Sequence, residues 1–570
     1  MSYGSFVLML HSHLPFYRKA GMWPFGEENL YECIAETYLP LLNALEELVS
    51  EGIQPNITVG ITPILAEQLA DSHLQQGFID YIQTRLKAAS EDIERYPDPK
   101  VKDSKHLAYL ADYYHKHFTQ LLDDFINRYD KNLLKAFKDL QDTGAIEITT
   151  SGATHGFSPL LGLQESINAQ FKVGVETYKR HFGKDPKGCW LPECAYRPAH
   201  SEVAVGKNHH ALSTDAFLYE NGLQYFFTEY HAIEGSTGVE ARRDFGLYGA
   251  IQYIPTDNPQ THRIATGFST DEAYWMKDYP VAVMGRNNRA SFQVWSAADG
   301  YPGDGVYREF HKKDEQSGLH FWRITSKDCE LGDKGLYDPV KALEQTTSHA
   351  DHYANMIYHQ LKEHYEATGK ERLVMVSFDT ELFGHWWFEG ITWLKQVIRQ
   401  LNKVEQVSVE TASAYLHNTP PQCAIELPES TWGQGGHYWV WQNQHTDWMW
   451  PIIHQAEETM TDLVVQHPDE SDPMKVRILN QAFRELLLLQ SSDWPFLVTT
   501  FQAKDYAIER FNEHVDNFKQ LADMLTKSSI DNALLSTLEE KNNPFPNIHY
   551  RWYQGLSGAT DAMPPQPVGV

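Results

Sequence analysis

The chain reads as an α/β protein built on a parallel sheet or barrel, and three features of its 570 residues predict this. Short apolar, β-branched runs alternate with helical patterns from Phe6 to Glu410, the rhythm of strand–helix units around a parallel sheet. Histidines, carboxylates and aromatics gather where the runs end, and the C-terminal ends of parallel strands are where such folds keep their sites. After Pro420-Pro421 the alternation stops and only helical spacing remains, which predicts an all-helical C-terminal domain over 421–530.

The first strand is Phe6 to Leu10, running into His11-Ser-His-Leu-Pro-Phe16. Two histidines at i and i+2 on a strand point the same way, so His11 and His13 can face one site as metal ligands, as donors to a substrate, or as satisfied core residues. Asn29 to Glu51 is a helix closed by Gly52, Ile57 to Ile61 a second strand, and Pro63 a helix start. The segment 76–141 carries Leu, Tyr, Lys and Asp at helical spacing with no strand signal, and reads as a helical insertion. Ala145 to Ser151 is a third strand, with His155 just beyond it. Gln164 to His181 is an amphipathic helix, and Gly188 begins a short strand ending in Glu193.

A Gly-rich stretch from Glu229 to Tyr253 reads as a loop with Tyr248 at its tip, and Val294-Trp295-Ser296 as a strand end. Pro339 to Thr368 is a long helix leading into Arg372-Leu-Val-Met-Val-Ser-Phe-Asp379, an unbroken apolar run of the kind buried in parallel sheets. Asp379 is followed at once by Glu381, His385 and the pair Trp386-Trp387. Val404 to Glu410 is one more strand. Beyond it lie a loop with Trp432 and Trp441, helices over His445–Gln466, Pro473–Gln490 and Asp505–Lys527, and the turn Ser491-Ser-Asp493-Trp-Pro. The remainder, 531–570, reads as an irregular Pro-rich tail, and 1–420 as the catalytic unit.

Composition narrows the partner. Lys and Arg total 48 against 76 Asp and Glu, a net charge of −28 that repels nucleic acid and anionic lipid and favours a neutral substrate. The 15 Trp and 30 Tyr, many beside Gly, His or Asp, fit stacking on sugar C–H faces as well as they fit a large core. The N-terminal apolar run is too short for a signal peptide, no stretch approaches membrane-spanning length, and five scattered cysteines fit a reduced, cytoplasmic protein. Cys189 and Cys194 flank Glu193 but, without a second pair, read as small buried hydrophobes.

Glu193 and Asp379, each at a strand end, suit retaining glycoside chemistry, in which two carboxyl groups about 5–5.5 Å apart act as nucleophile and proton donor. Spacing does not order the roles; surroundings do. Arg197 near Glu193 would keep that carboxylate charged, whereas Phe378, Phe383 and Trp386 around Asp379 would raise its pKa and suit it to be the acid.

His11-Ser-His-Leu-Pro-Phe16, Trp190-Leu-Pro-Glu-Cys-Ala-Tyr196 and Ser377-Phe-Asp-Thr-Glu-Leu-Phe-Gly-His-Trp-Trp387 together resemble the conserved regions of glycoside hydrolase family 57, over roughly Tyr3 to Lys527. The resemblance is strongest to the family's α-glucan branching members. It implies a distorted (β/α)7 barrel with a helical insertion and a helical C-terminal domain, no metal or other cofactor, and a double displacement on α-1,4-glucans such as amylose and glycogen. Glu193 then matches the nucleophile and Asp379 the acid/base. His11, His13 and His155 match donor-subsite histidines, Tyr248 a loop tyrosine that shields the glycosyl-enzyme from water, and Trp295, Trp432 and Trp441 the tryptophans of the branching members. Trp386 becomes part of the sugar-binding wall, and Asp493 falls in a further family motif. Three other readings compete: an α-amylase or 4-α-glucanotransferase on the same fold, a zinc deacetylase or mannosidase using His-x-His as ligands, and a glycan-binding protein without catalysis.

Overall fold

Seven parallel strands form the barrel: β1 (Gly4–Ser12), β2 (Ile57–Ile61), β3 (Ile146–Thr149), β4 (Gly188–Cys189), β5 (Tyr225–Thr228), β6 (Ala282–Gly285) and β7 (Arg372–Asp379). The structure is a computed structural model that describes residues 2–556, apart from 99, 101, 200–211, 236–238, 243–251, 256–265, 296–299 and 528. β1 pairs with β7 from Gly4 to His11 and with β2 from Met9 to Ser12, and β2 pairs with β3. Thr150 bridges to Cys189, carrying the sheet into β4, which pairs with β5, and β5 with β6. Asn287 N–H, just past β6, donates to Met375 O at 2.6 Å and closes the circle onto β7. The barrel is distorted where the strand Val407–Glu410 takes the first half of β1, and where an antiparallel strand, Ala273–Met276, lies along β6.

Strand periodicity sorts the side chains into layers. Val7, Met9, Trp190, Phe227, Met284 and Met375 fill the barrel interior. The alternate residues of β7, Val374, Val376 and Phe378, face outward into the core beneath the N-terminal and inserted helices. A third cluster joins the other flank of the barrel (Phe157, Phe171, Phe226) to the C-terminal helices (Trp450, Leu486, Trp494), so the two regions share one core.

The insertion consists of Ser72–Arg95, Ser104–Asp123 and Leu133–Asp142, the first and last opened by Asp71 and Asn132 side chains that accept from Leu74 and Lys135 N–H groups. The C-terminal helices are Met449–Gln466, Pro473–Leu489, Asp493–Thr500, Lys504–Thr526 and Asn532–Lys541. The last of these corrects the irregular tail. Asp531 accepts from Leu534 N–H at 3.0 Å as its cap, and Leu535 and Leu538 are buried. Val294-Trp295 is also not a strand end but the last turn of a helix, Asn288–Trp295. Asn287 Oδ1 caps that helix from Ala290 N–H at 2.9 Å, and Ala290, Ser291 and Val294 are buried at helical spacing. No described helix is long and apolar enough to cross a membrane.

Candidate active site

The site is assembled at the C-terminal mouth of the barrel. β1 runs two residues past its apolar stretch, and its pairing sets His11 opposite Asp379. Both lie on the same face as Met9 and Met375, so both belong to the interior file where the packed barrel gives way to the mouth.

Glu193 reaches the mouth from a tight turn after β4. Its backbone is left-handed (φ 59°, ψ 24°), as are Cys194 (φ 53°) and His155 (φ 59°). Non-glycine residues pay a strain of order 1–3 kcal/mol for such conformations, and they concentrate at functional sites. Here the strain is held by one turn bond and one tertiary contact: Cys194 N–H donates to Leu191 O at 2.8 Å, and Trp432 N–H to Glu193 O at 3.2 Å.

Two donors converge on the Glu193 carboxylate. Trp432 Nε1–H donates to Oε2 at 2.8 Å and Ser492 Oγ–H to Oε1 at 2.9 Å. Burial raises this carboxyl's pKa and Asp493 adds to the rise, while the two hydrogen bonds favour the charged form. His155 Nδ1 lies 2.9 Å from Ser492 Oγ and 3.6 Å from Glu193 Oε1, and its Nε2 is 3.1 Å from His11 Nε2. The indole of Trp190 stacks on His11 with centroids 4.9 Å apart. His13 stacks on His155 at 3.9 Å, with Nδ1 3.1 Å from Thr62 Oγ1 and Nε2 3.1 Å from Asp493 Oδ2.

The histidines are electrically unlike. Burial drives His11 and His155 well below the ordinary imidazole range, helped by the His13 charge, so both rings are neutral. Burial also opposes charge on His13, but Asp493 outweighs it, with Glu193 and Glu381 adding, and His13 is raised. Both nitrogens of His13 and of His155 are engaged by protein groups. Among the described residues no group of three or more His, Cys, Asp and Glu side chains has metal-holding geometry.

Asp379 is half-buried and has a contrasting environment. Desolvation pushes its pKa well above the ordinary carboxyl value; the like charges of Glu381 and Glu193 push it further, and Arg286 pulls the other way. Glu381, buried beneath the mouth, accepts from Tyr38 O–H at 2.5 Å and His13 N–H at 3.2 Å. Its own pKa is pushed up to about 7, chiefly by burial.

The structure therefore gathers Glu193, Asp379, His11, His13, His155, Trp432 and Asp493 into one electrostatic unit. It corrects several expectations. Arg197 does not support Glu193: its Nη1 donates to Pro159 O at 2.6 Å, and the carboxylate's donors are Trp432 and Ser492. Phe378 and Phe383 do not desolvate Asp379, because alternation along β7 sends Phe378 to the outer layer, where it meets Phe383 at 5.5 Å. Trp441 is a core residue, 1% exposed and stacked on Phe157 at 4.5 Å, so it offers no ring to a substrate. Trp295 is half-buried and packs against the N-terminal core. Trp386 is half-buried in the loop after β7, stacked on Phe310 at 4.9 Å. Tyr248 lies outside the described residues. Four members escaped the sequence reading as site residues: Trp190, Ser492, Glu381 and Arg286. Three of them sit inside motifs already singled out; Arg286, two residues before an unremarkable Asn288, carried no signal.

A seven-stranded barrel whose mouth brings together two carboxyl groups with different partners is the arrangement that enzymes cleaving glycosidic bonds use. The chain belongs to glycosyl hydrolase family 57, whose family model matches residues 7–428. A second model, 1,4-alpha-glucan branching enzyme, C-terminal, matches residues 452–553. A 1,4-alpha-glucan branching enzyme of Thermococcus kodakarensis is 41% identical over 550 residues, covering 95% of this chain and 77% of that protein. Its crystal structure superimposes with a TM-score of 0.88 at 40% identity, over 100% of this chain and 98% of that one. The branching enzyme of Pyrococcus horikoshii gives 0.85 at 37% identity, covering 100% and 99%. The alpha-amylase AmyC of Thermotoga maritima gives 0.80 at 31%, covering 96% and 99%.

Proposed function

We propose that this chain is a 1,4-α-glucan branching enzyme. It cleaves an α-1,4-glucan by retaining double displacement, with Glu193 as nucleophile and Asp379 as general acid/base, and passes the segment to a 6-hydroxyl of another chain. The observation that carries the chemistry is the asymmetry of the two carboxyls. Glu193 receives two hydrogen-bond donors that favour its ionised form and offset part of the upward push of burial, whereas burial and the negative charges of Glu381 and Glu193 push Asp379 well above the ordinary carboxyl value. What supports branching in particular is the C-terminal family match and the similarity to the Thermococcus enzyme along nearly the whole chain.

The electrostatics also supply the role switch. Glu193 attacks the anomeric carbon as Asp379 gives its proton to the departing glycosidic oxygen. Once Glu193 is a neutral glycosyl ester, one of the two like charges acting on Asp379 is gone and its pKa falls. In that state Asp379 is a base and takes the proton from the acceptor 6-hydroxyl. Hydrolysis differs only in that water is the acceptor, and the 31% likeness to an amylase makes it the rival reading.

The test is linkage analysis of amylose incubated with the protein and then debranched. Branching predicts new chains released by the debranching step, with little rise in reducing ends before it. Reducing ends rising in step with cleavage, with no 1,6 linkages, would establish the hydrolytic reading instead.

A further inference from the structure

On the outer flank of the barrel a cleft of about 500 Å³ opens between the inserted helix Ser104–Asp123 and the helices Leu39–Ser50, Pro339–Thr368 and Gly390–Leu401. This volume is within the usual range for small-molecule sites. The inserted helix turns its core face, Leu107, Leu110, Ala111, Tyr114 and Phe118, toward the barrel. Tyr109, Tyr113 and His117 repeat at i, i+4 and i+8 on a different stripe, which lines the cleft. Tyr113 and His117 lie nearly parallel (4° between planes, centroids 6.3 Å), and His117 meets Phe388 at 5.7 Å. On the facing wall, Val340 is 57% and Leu343 51% exposed, and Tyr109 is 46% exposed. Folding gains nothing from leaving these apolar surfaces together in solvent, and adjoining exposed apolar groups mark binding surfaces.

The polar lining limits the ligand. Glu36, Glu47, Asp124 and Glu389 line the cleft, and the cations beside them are already paired: Lys395 to Glu47 at 2.5 Å and Arg308, which lies over Phe388, to Glu36 at 2.7 Å. Burial pushes His117 down to about 4, so its ring is neutral at pH 7. Nucleotides, phosphates and acidic peptides are therefore disfavoured. A neutral ligand with apolar C–H faces is favoured, since it can pack on Tyr109, Val340 and Leu343, while the Asn43 and Gln120 amides at the rim both donate to Asp124.

We infer that this cleft is a second α-glucan-binding site, which holds a segment of the polymeric substrate on the exposed Tyr109 ring and the apolar wall of Val340 and Leu343 while chemistry proceeds at the mouth. The inference rests on the α-glucan reading above and extends it: the loop after β7 starts at the catalytic strand end, Asp379, and carries Phe388 on the cleft wall.

Affinity electrophoresis of the full chain in gels containing soluble amylose tests it, with Tyr109→Ala and Leu343→Ser as variants because both side chains are exposed and their loss spares the core. Amylose retardation should weaken roughly three- to tenfold in each. KM for amylose should rise in proportion, while kcat and turnover of the short substrate maltoheptaose stay at wild type. Retardation equal to wild type, or parallel losses on amylose and maltoheptaose, would overturn the proposal. So would a change in molar mass by light scattering without a change in retardation, which would make the cleft a self-association face. Failure of α-glucan chemistry itself would show separately, as absence of activity in the wild-type protein on either substrate.

Discussion

Burial raises the pKa of both Glu193 and Asp379 at one barrel mouth, yet hydrogen-bond donors oppose the rise at Glu193 and like charges add to it at Asp379. Glu193 sits on a strained turn whose backbone is pinned by Trp432, and its oxygens receive an indole N–H and a hydroxyl. Asp379 ends an unstrained strand, and its strongest neighbours after desolvation are two further carboxylates. The difference teaches that burial alone does not assign a catalytic role. Directed donors favour the ionised form that a nucleophile needs; like charge favours the protonated form that an acid needs.

The largest effect expected from breaking this contrast is at Glu193 itself. Glu193→Gln keeps the shape and the hydrogen-bonding surface but removes the nucleophile, and branching turnover should fall by on the order of 10⁴ or more in a steady-state assay. Asp379→Asn should cost about 10²–10⁴ on amylose. It should cost far less for glycosylation by an α-glucosyl fluoride, whose leaving group needs no proton. Next comes Trp432→Phe. Loss of one hydrogen bond to a charged group costs about 1.5–3 kcal/mol, so kcat/KM should drop roughly ten- to hundredfold. The sign of the pH effect follows: the lost donor favoured the ionised form, so the Glu193 pKa rises and the acid limb of the kcat/KM profile moves to higher pH. Glu381→Gln should have the smallest effect. It removes a like charge near Asp379, which lowers the Asp379 pKa and moves the alkaline limb to lower pH, with a rate loss of roughly two- to fivefold at alkaline pH and little change below neutrality.

Much of this contrast could be read from the chain before folding was considered. The strand of Arg372–Asp379 announces itself by an apolar run ending in a carboxylate, and Glu193 by a short strand with an aromatic behind it. The reasons for their states could not be read there. Arg197 is close to Glu193 in sequence but bonds Pro159, whereas Ser492 donates from 299 positions away, on a turn between C-terminal helices. Phe378 is adjacent to Asp379 in sequence and on the other face of the strand. Local sequence shows which groups are present; the pleat of a strand and the packing of a distant domain decide which of them meet. β5 and β6 escaped for a related reason. They are four-residue strands flanked by loops, too short for a periodic signal.

The most direct test of the opposed roles is azide rescue of the glycine variants with an α-glucosyl fluoride as donor. If Glu193 is the nucleophile, azide restores Glu193→Gly by attacking from the vacated face and yields the β-glucosyl azide. Asp379→Gly still forms the Glu193 ester, and azide then yields the α-glucosyl azide. The reverse pattern, or the same anomer from both variants, would contradict the assignment.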